Sequence, residues 1–226
     1  MNNVVCKNPS QSKHFLSLQS GKKHVSMNEN IFPIFDKILT RRDKEKLLNQ
    51  HAIVIWMTGL SGSGKTTLAS NIAVELNNRG YLTQILDGDN IRAGINNNLG
   101  FSEDDRFENI RRISEVSKLF LDCGIICINS FISPTNEIRQ MAMDIVGKEN
   151  YFEVFVNAPI EVCESRDVKG LYKKARKGEL KNFTGIDSPF DIPEHSFIEI
   201  NTDQLTIDES VEKLLEKILP IVEYKI

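Results

Sequence analysis

What the sequence lacks narrows its function first. It has no excess of basic residues. Lys and Arg number 28 against 31 Asp and Glu, for a formal net charge of −3, which argues against a nucleic-acid partner, since such partners need a basic face. It has no apolar run long enough to cross a bilayer; the longest, Ala52 to Met57, is strand-sized. Its four cysteines, Cys6, Cys123, Cys127 and Cys163, form no Cys-x-x-Cys pair. They read as small buried thiols rather than zinc ligands or disulfides, which points to a reducing, cytoplasmic setting. Residues 1–28 contain no hydrophobic segment of the secretory kind. They are rich in serine and free of acid, as transit peptides are, but they also contain no arginine. Organellar import stays open; a disordered tail, or a true start at Met27, is the plainer reading.

What is present is an ordinary globular balance, 40% hydrophobic and 26% charged over 226 residues, the size of one α/β domain with an appendage. Residues 29–50 read as an N-terminal helical extension, apolar from Ile31 and then a charged helix to Leu48, with Arg41 to Lys46 solvated. The domain proper spans 51–226. There, strands at Ala52–Thr58, Tyr81–Leu86, Ile125–Asn129, Glu153–Asn157 and Phe197–Ile200 alternate with helices at Thr66–Asn78, Asn109–Asp122 and Thr135–Val146. A last helix follows the capping box Thr206-x-x-Glu209. Such alternation predicts a mostly parallel sheet with helices on both faces, a three-layer α/β fold.

Gly59-Leu60-Ser61-Gly62-Ser63-Gly64-Lys65-Thr66 matches the phosphate-loop pattern G-x-x-x-x-G-K-[ST] without a gap, after a strand and before a helix. Glycines let backbone N–H groups close around phosphate oxygens, and the helix N-terminus adds positive potential. Lys65 is expected to reach the β- and γ-phosphates of ATP, and the Thr66 hydroxyl to bind Mg²⁺; Thr67 follows in the same turn. Neither the Asn-Lys-x-Asp element of GTPases nor a transport-ATPase signature is present. The fold class is therefore a P-loop NTPase fold, and the function a small-molecule kinase or a nucleotide-binding regulatory subunit.

The strand ending at Leu86 runs into Asp87-Gly88-Asp89-Asn90-Ile91-Arg92. Carboxylates at a strand's C-terminal end stand where open α/β sheets bind ligands. One can order the metal's water shell, and the other can accept a hydroxyl proton. Arg92 and, further on, Arg106 and Arg112 offer guanidinium forks for anionic groups, although a charge cluster of this kind is also what a solvated helix start looks like.

Together with Leu99–Arg112, Ser130-Phe131-Ile132-Ser133-Pro134, Lys169-Gly170-Leu171-Tyr172 and Phe183-Thr184-Gly185-Ile186, these blocks resemble the adenylylsulfate (APS) kinase family in order and content, from about His51 to the C-terminus. The resemblance implies transfer of the γ-phosphate of Mg·ATP to the ribose 3′-hydroxyl of adenosine 5′-phosphosulfate (APS). It also implies Asp89 near that hydroxyl, Asp87 on the metal side, and Arg92, Arg106 and Asn109 on the phosphosulfate. Phe101 and Phe183 would stack on the acceptor's adenine, Ile132 and Ser133 would contact the acceptor, and Lys169 would sit in a basic lid. Ser133 is either a transient phosphoserine or a substrate binder, and the latter is preferred because no activating base neighbours it. The family often has an aromatic and a basic residue after Ser-Pro, where this chain has Thr135-Asn136. A homodimer is expected, with any ATP sulfurylase a separate protein, because the scattered histidines His14, His24, His51 and His195 supply no H-x-x-H element.

Overall fold

A computed structural model describes residues 32, 34 and 37–225; the expected tail at residues 1–28 lies outside them. The unit from Leu39 onward carries the sheet and its helices. In chain order these are α1 (Arg41–Leu48), β1 (Val54–Thr58), α2 (Lys65–Asn78), β2 (Thr83–Asp87), α3 (Gly88–Ala93), α4 (Glu103–Asp122) and β3 (Ile126–Ser130). They continue with α5 (Asn136–Val146), β4 (Tyr151–Asn157), α6 (Ile160–Arg166), α7 (Leu171–Arg176), β5 (Ile198–Asn201) and α8 (Ile207–Val222).

All five strands are parallel, in the order β2-β3-β1-β4-β5. The apolar run that becomes β1 is central and buried on both faces. Its side chains alternate, as a strand's must. Ile53, Ile55 and Met57 pack with Leu68, Ile72 and Leu76 of α2 and with Leu214 and Ile218 of α8. Val54 and Trp56 pack on the other face with Ile113 of α4 and Ala142 of α5. Each such aliphatic side chain removed from water stabilises the fold by about 1.5–3 kcal/mol. The expected three-layer α/β fold is what forms. Because every strand points the same way, β1, β2, β3 and β4 deliver their C-terminal ends to one rim.

Several local expectations need correction. The helix expected from Asn109 starts at Glu103. Ser102 caps it, its Oγ accepting from Asp105 N at 3.2 Å, and three acidic residues in the first turn favour the positive end of the helix. The residues after β2, for which no helix was expected, form the short α3, with the Asp87 side chain as its cap. α1 is not wholly solvated, because Glu45 turns inward, accepting from Arg41 Nε and from Ala52 N at 2.8 Å each. Cys127 and Cys163 are buried as expected, but Cys123 is exposed; it caps the C-terminus of α4, where the helix emerges at the surface.

Candidate active site

The phosphate loop follows β1 and is built from its glycines. Gly59 has φ 149°, and a Cβ there would lie 2.3 Å from the Val156 carbonyl oxygen. At Gly62, φ is 77° and a Cβ would come within 2.9 Å of the Cys163 carbonyl oxygen. Neither position admits a side chain. The loop's carbonyls are held one after another by side chains. Lys65 Nζ donates to Gly59 O at 2.9 Å and Leu60 O at 2.7 Å. Tyr172 Oη donates to Ser61 O at 2.9 Å, Arg166 Nη1 to Gly62 O at 3.2 Å, and Thr202 Oγ1 to Ser63 O at 2.7 Å. With those acceptors occupied, the N–H groups at the start of α2 remain as donors for phosphate.

Arg166 and Thr202 were not among the residues expected from sequence, and Tyr172 was expected only as part of a lid motif. Their contacts span 104 to 139 residues, a distance over which spacing carries no signal. Tyr172→Phe removes one of these bonds and keeps the ring, which packs edge-on against Phe183 at 4.9 Å. Its expected effect is a KM for ATP raised about 2- to 10-fold, the factor for one net hydrogen bond, with the KM for the phosphoryl acceptor unchanged in steady-state assays.

Lys65 is buried, and burial brings its ammonium down to about 8 against the opposing influence of Cys163 and Asp87. Next to it, Thr66 Oγ1 donates to Asp87 Oδ2 at 2.8 Å and lies 3.3 Å from Ser130 Oγ. Asp87 and Ser130 are register partners at the ends of β2 and β3. Ser130, expected only as part of a motif block, thus adds a third polar group beside Thr66 and Asp87. The donor set is all oxygen, which suits a hard divalent cation. Among the described residues no group of three or more His, Cys, Asp or Glu side chains could hold a metal by itself, so an ion here would draw on phosphate and water, as Mg²⁺ does. Asp87 Oδ1 accepts from Asp89 N at 3.1 Å, and the Asp89 carboxylate, in the first turn of α3, is ion-paired with Lys169.

The other half of the rim gathers the residues expected to bind the acceptor. The Arg92 guanidinium stands 4.4 Å from the centroid of Phe101, which is 60% exposed. Arg106 bridges two loops, donating to Phe101 O at 3.0 Å, to Thr184 Oγ1 at 2.7 Å, and to Asn182 O. It thereby ties the Phe101 loop to the Phe183 loop. Phe183 itself is only 8% exposed and sits in a small cluster with Tyr172 and Cys163. Asn109 is buried, and Asn96 Nδ2 donates to its Oδ1 at 3.0 Å. Arg112 Nε donates to Glu108 at 2.8 Å, the local helix pairing that the sequence left open, and its Nη1 donates to Asn98 Oδ1 at 2.9 Å. Hydrogen bonds from Arg111 and Arg112 hold the Glu108 carboxyl down at about 2.

Ser133 is 2% exposed, and its Oγ accepts from Trp56 Nε1 at 3.0 Å. Its φ of 45° is left-handed, a costly conformation for a residue with a side chain. The preceding Ile132 carbonyl accepts from Thr58 Oγ1 at 2.6 Å and from Gly59 N at 3.4 Å, so the loop after β3 is pinned to the phosphate loop. Thr135 caps α5 through Ile138 N at 3.3 Å.

A parallel sheet of this order, a phosphate cradle, a hydroxyl–carboxylate pair for a metal and a second cleft half at the same rim define a P-loop phosphotransferase of the small-molecule kinase class. The family model described as adenylylsulphate kinase matches residues 51–201. An adenylyl-sulfate kinase of Bacteroides thetaiotaomicron is 63% identical over 196 residues, covering 87% of this chain and 98% of that one. One from Clostridium kluyveri is 53% identical over 179 residues, covering 79% and 89%. The solved structure of the Mycobacterium tuberculosis APS kinase CysC in complex with AMPPNP and APS aligns with a TM-score of 0.72 at 42% identity, covering 75% of this chain and 98% of that one. The chain belongs to the adenylylsulphate kinase family.

Proposed function

We propose that this chain transfers the γ-phosphoryl group of ATP to the 3′-hydroxyl of APS, giving 3′-phosphoadenosine 5′-phosphosulfate and ADP. The observation that carries the reading is the rim itself. Thr66 and Asp87 meet beside the phosphate loop while Asp89, two residues on, carries an exposed carboxylate paired with Lys169. The roles then divide by position. The N–H groups opening α2 hold the phosphates, and Lys65 exchanges its contacts with Gly59 O and Leu60 O for the β- and γ-phosphate oxygens. Thr66 and Asp87 hold Mg²⁺, which neutralises phosphate charge when bound. Asp89 orients the acceptor hydroxyl and takes its proton, and Arg92, Arg106 and Asn109 hold the phosphosulfate side. Phe101, being exposed, is free to stack on the acceptor's adenine, a contact worth roughly 1–3 kcal/mol, and Phe183, largely buried against Tyr172, is the second aromatic residue of that adenine site.

Ser133 acts as a binder in this reading, and transfer is direct and in line. Its buried Oγ receives the Trp56 N–H, and no base stands among its hydrogen-bond partners, whereas a serine nucleophile needs one. Lys169 closes over the site from the segment before α7. ATP and APS are the small-molecule partners, with a second copy of the chain forming a homodimer and a separate ATP sulfurylase supplying the acceptor. No helix among the described residues is long and apolar enough to cross a membrane.

The test is ADP release from the purified protein with Mg·ATP, with and without micromolar APS. ADP formation that depends on APS, with the 3′-phosphorylated nucleotide identified by mass, is the expected result. ADP formed equally without APS, or only with another alcohol, would leave the phosphotransferase class standing and remove the acceptor.

A further inference from the structure

Arg139 lies on α5, inside the protein at 3% exposure, with a polar neighbour at each guanidinium nitrogen. Nη1 donates to Ser133 O at 2.8 Å. Nη2 donates to Asp191 O at 2.8 Å and to Asn136 Oδ1. Nε faces Glu153 Oε1 on β4 at 3.3 Å, and the group lies 5.8 Å from the Phe190 ring centroid. Asp191 answers from its own side: its N donates to Pro134 O at 2.8 Å, and its Oδ2 accepts from Asn136 N at 2.9 Å. The loop after β3, which carries Ile132 and Ser133, is thus sewn to the end of the segment that begins at Phe183. Both loops contribute expected acceptor contacts, and neither contact is made by Arg139 itself.

The surroundings indicate that this is a device for holding geometry. A buried ion pair contributes little net stability against an apolar replacement. The pair here is also imperfectly satisfied, because Glu153 Oε1, which faces Arg139, and the Tyr151 hydroxyl have no hydrogen-bond partner among the described residues, and burial pushes the Glu153 carboxyl up from its ordinary value. The fork instead meets a carbonyl whose residue is in a left-handed conformation. That conformation must be held by its neighbours to persist, and two of the bonds that do so are Arg139 to Ser133 O and Thr58 Oγ1 to the same oxygen at 3.3 Å. Asn136 Oδ1 supplies an acceptor for the same guanidinium.

We infer that Arg139 is a positioning residue for the acceptor: its guanidinium fork sets the Ser133 loop and the Phe183–Asp191 segment at the spacing the acceptor requires, without touching either substrate. This rests on the proposed acceptor reading. Arg139→Lys keeps the positive charge beside Glu153 but cannot span Ser133 O and Asp191 O together. Its expected effect is a KM for APS raised about 10- to 100-fold, the range for lost charged hydrogen bonds that order a site, with the KM for Mg·ATP within about twofold.

The experiment measures both KM values, kcat and Tm for the wild type, Arg139→Lys and the double variant Arg139→Met/Glu153→Gln, which removes the buried pair together and so protects the fold. A rise in the APS KM alone in both variants, at a Tm near wild type in the double variant, is the expected result. Unchanged KM values with only a lower Tm, or both KM values rising together, would overturn the positioning role. If the wild type itself needs no APS, the acceptor reading fails first, and that outcome is read from the wild type alone.

Discussion

Asp89→Asn is expected to lower kcat for APS phosphorylation about 10²- to 10⁴-fold, the range lost when a general base is removed, while Kd for ATP stays within a few-fold. The argument is positional. Asp87 is committed to Thr66 and to the cap of α3, so its carboxylate serves the metal side. Asp89 is exposed, and among the described residues its carboxylate pairs with Lys169. An asparagine preserves size and the α3 helix but can neither accept a proton nor pair with a lysine. Rapid-quench measurement of a single turnover with saturating APS isolates the chemical step. A single-turnover rate within threefold of wild type would remove Asp89 from the chemistry and return it to a role in lid closure. Asp87→Asn makes the contrast, since its loss should appear chiefly in the Mg²⁺ concentration needed for half-maximal rate.

The second large effect is at Lys65, where Lys65→Met should lower kcat/KM for ATP by at least about 10²- to 10³-fold, as expected for removal of one preorganised charge-stabilising donor. Its pH behaviour is more diagnostic. Burial holds the ligand-free ammonium at about 8 rather than the ordinary 10.5. Phosphate binding favours the charged form, so the bound state keeps its proton to higher pH. Below about 8 both states are protonated and ATP affinity is flat with respect to this group. Above 8 the free protein has lost the proton and must regain it on binding, so Kd rises with pH by up to about 10-fold per unit until the bound state also titrates. Calorimetric titration between pH 7 and 9.5 in buffers of different ionisation enthalpy reads both the slope and the proton uptake. In Lys65→Met the slope and the uptake should vanish; if they persist, another group is titrating.

The two halves of the site were unequally legible from the chain. The phosphate loop could be read because all its parts are contiguous: strand, glycines, Lys65, Thr66 and helix follow without interruption. The parallel sheet followed from alternating patterns of apolar residues. The start of α4 was placed six residues late, because Glu103 to Arg106 show no apolar periodicity, although Ser102 before three acids is a helix-start signal of another kind. Arg106 was read as an anion binder, yet three of its donors are already spent on Phe101 O, Thr184 and Asn182. Those partners lie up to 78 residues away, so only the fold could reveal them. The same holds for Arg166, Thr202 and Arg139, whose function lies in what they reach across the tertiary structure. Cys123 was misplaced for a simpler reason: hydrophobic neighbours in sequence do not keep a helix's last residue from the surface.

The rim that carries the site has an opposite edge, where the strands begin, and the chain is closed there. Gln50 donates to Leu82 O at 3.0 Å and Gly124 O at 2.8 Å, joining the starts of β2 and β3. Gln50 also bridges Glu223, His51 N donates to Val222 O at 2.8 Å, and the His51 ring lies 4.9 Å from that of Tyr224. The entry to β1 and the exit from α8 therefore meet as neighbours, a sheet's length from the phosphate loop. A substitution at this seam therefore acts on how the sheet is closed and reaches the entrance for nucleotide and acceptor only through the full length of the strands.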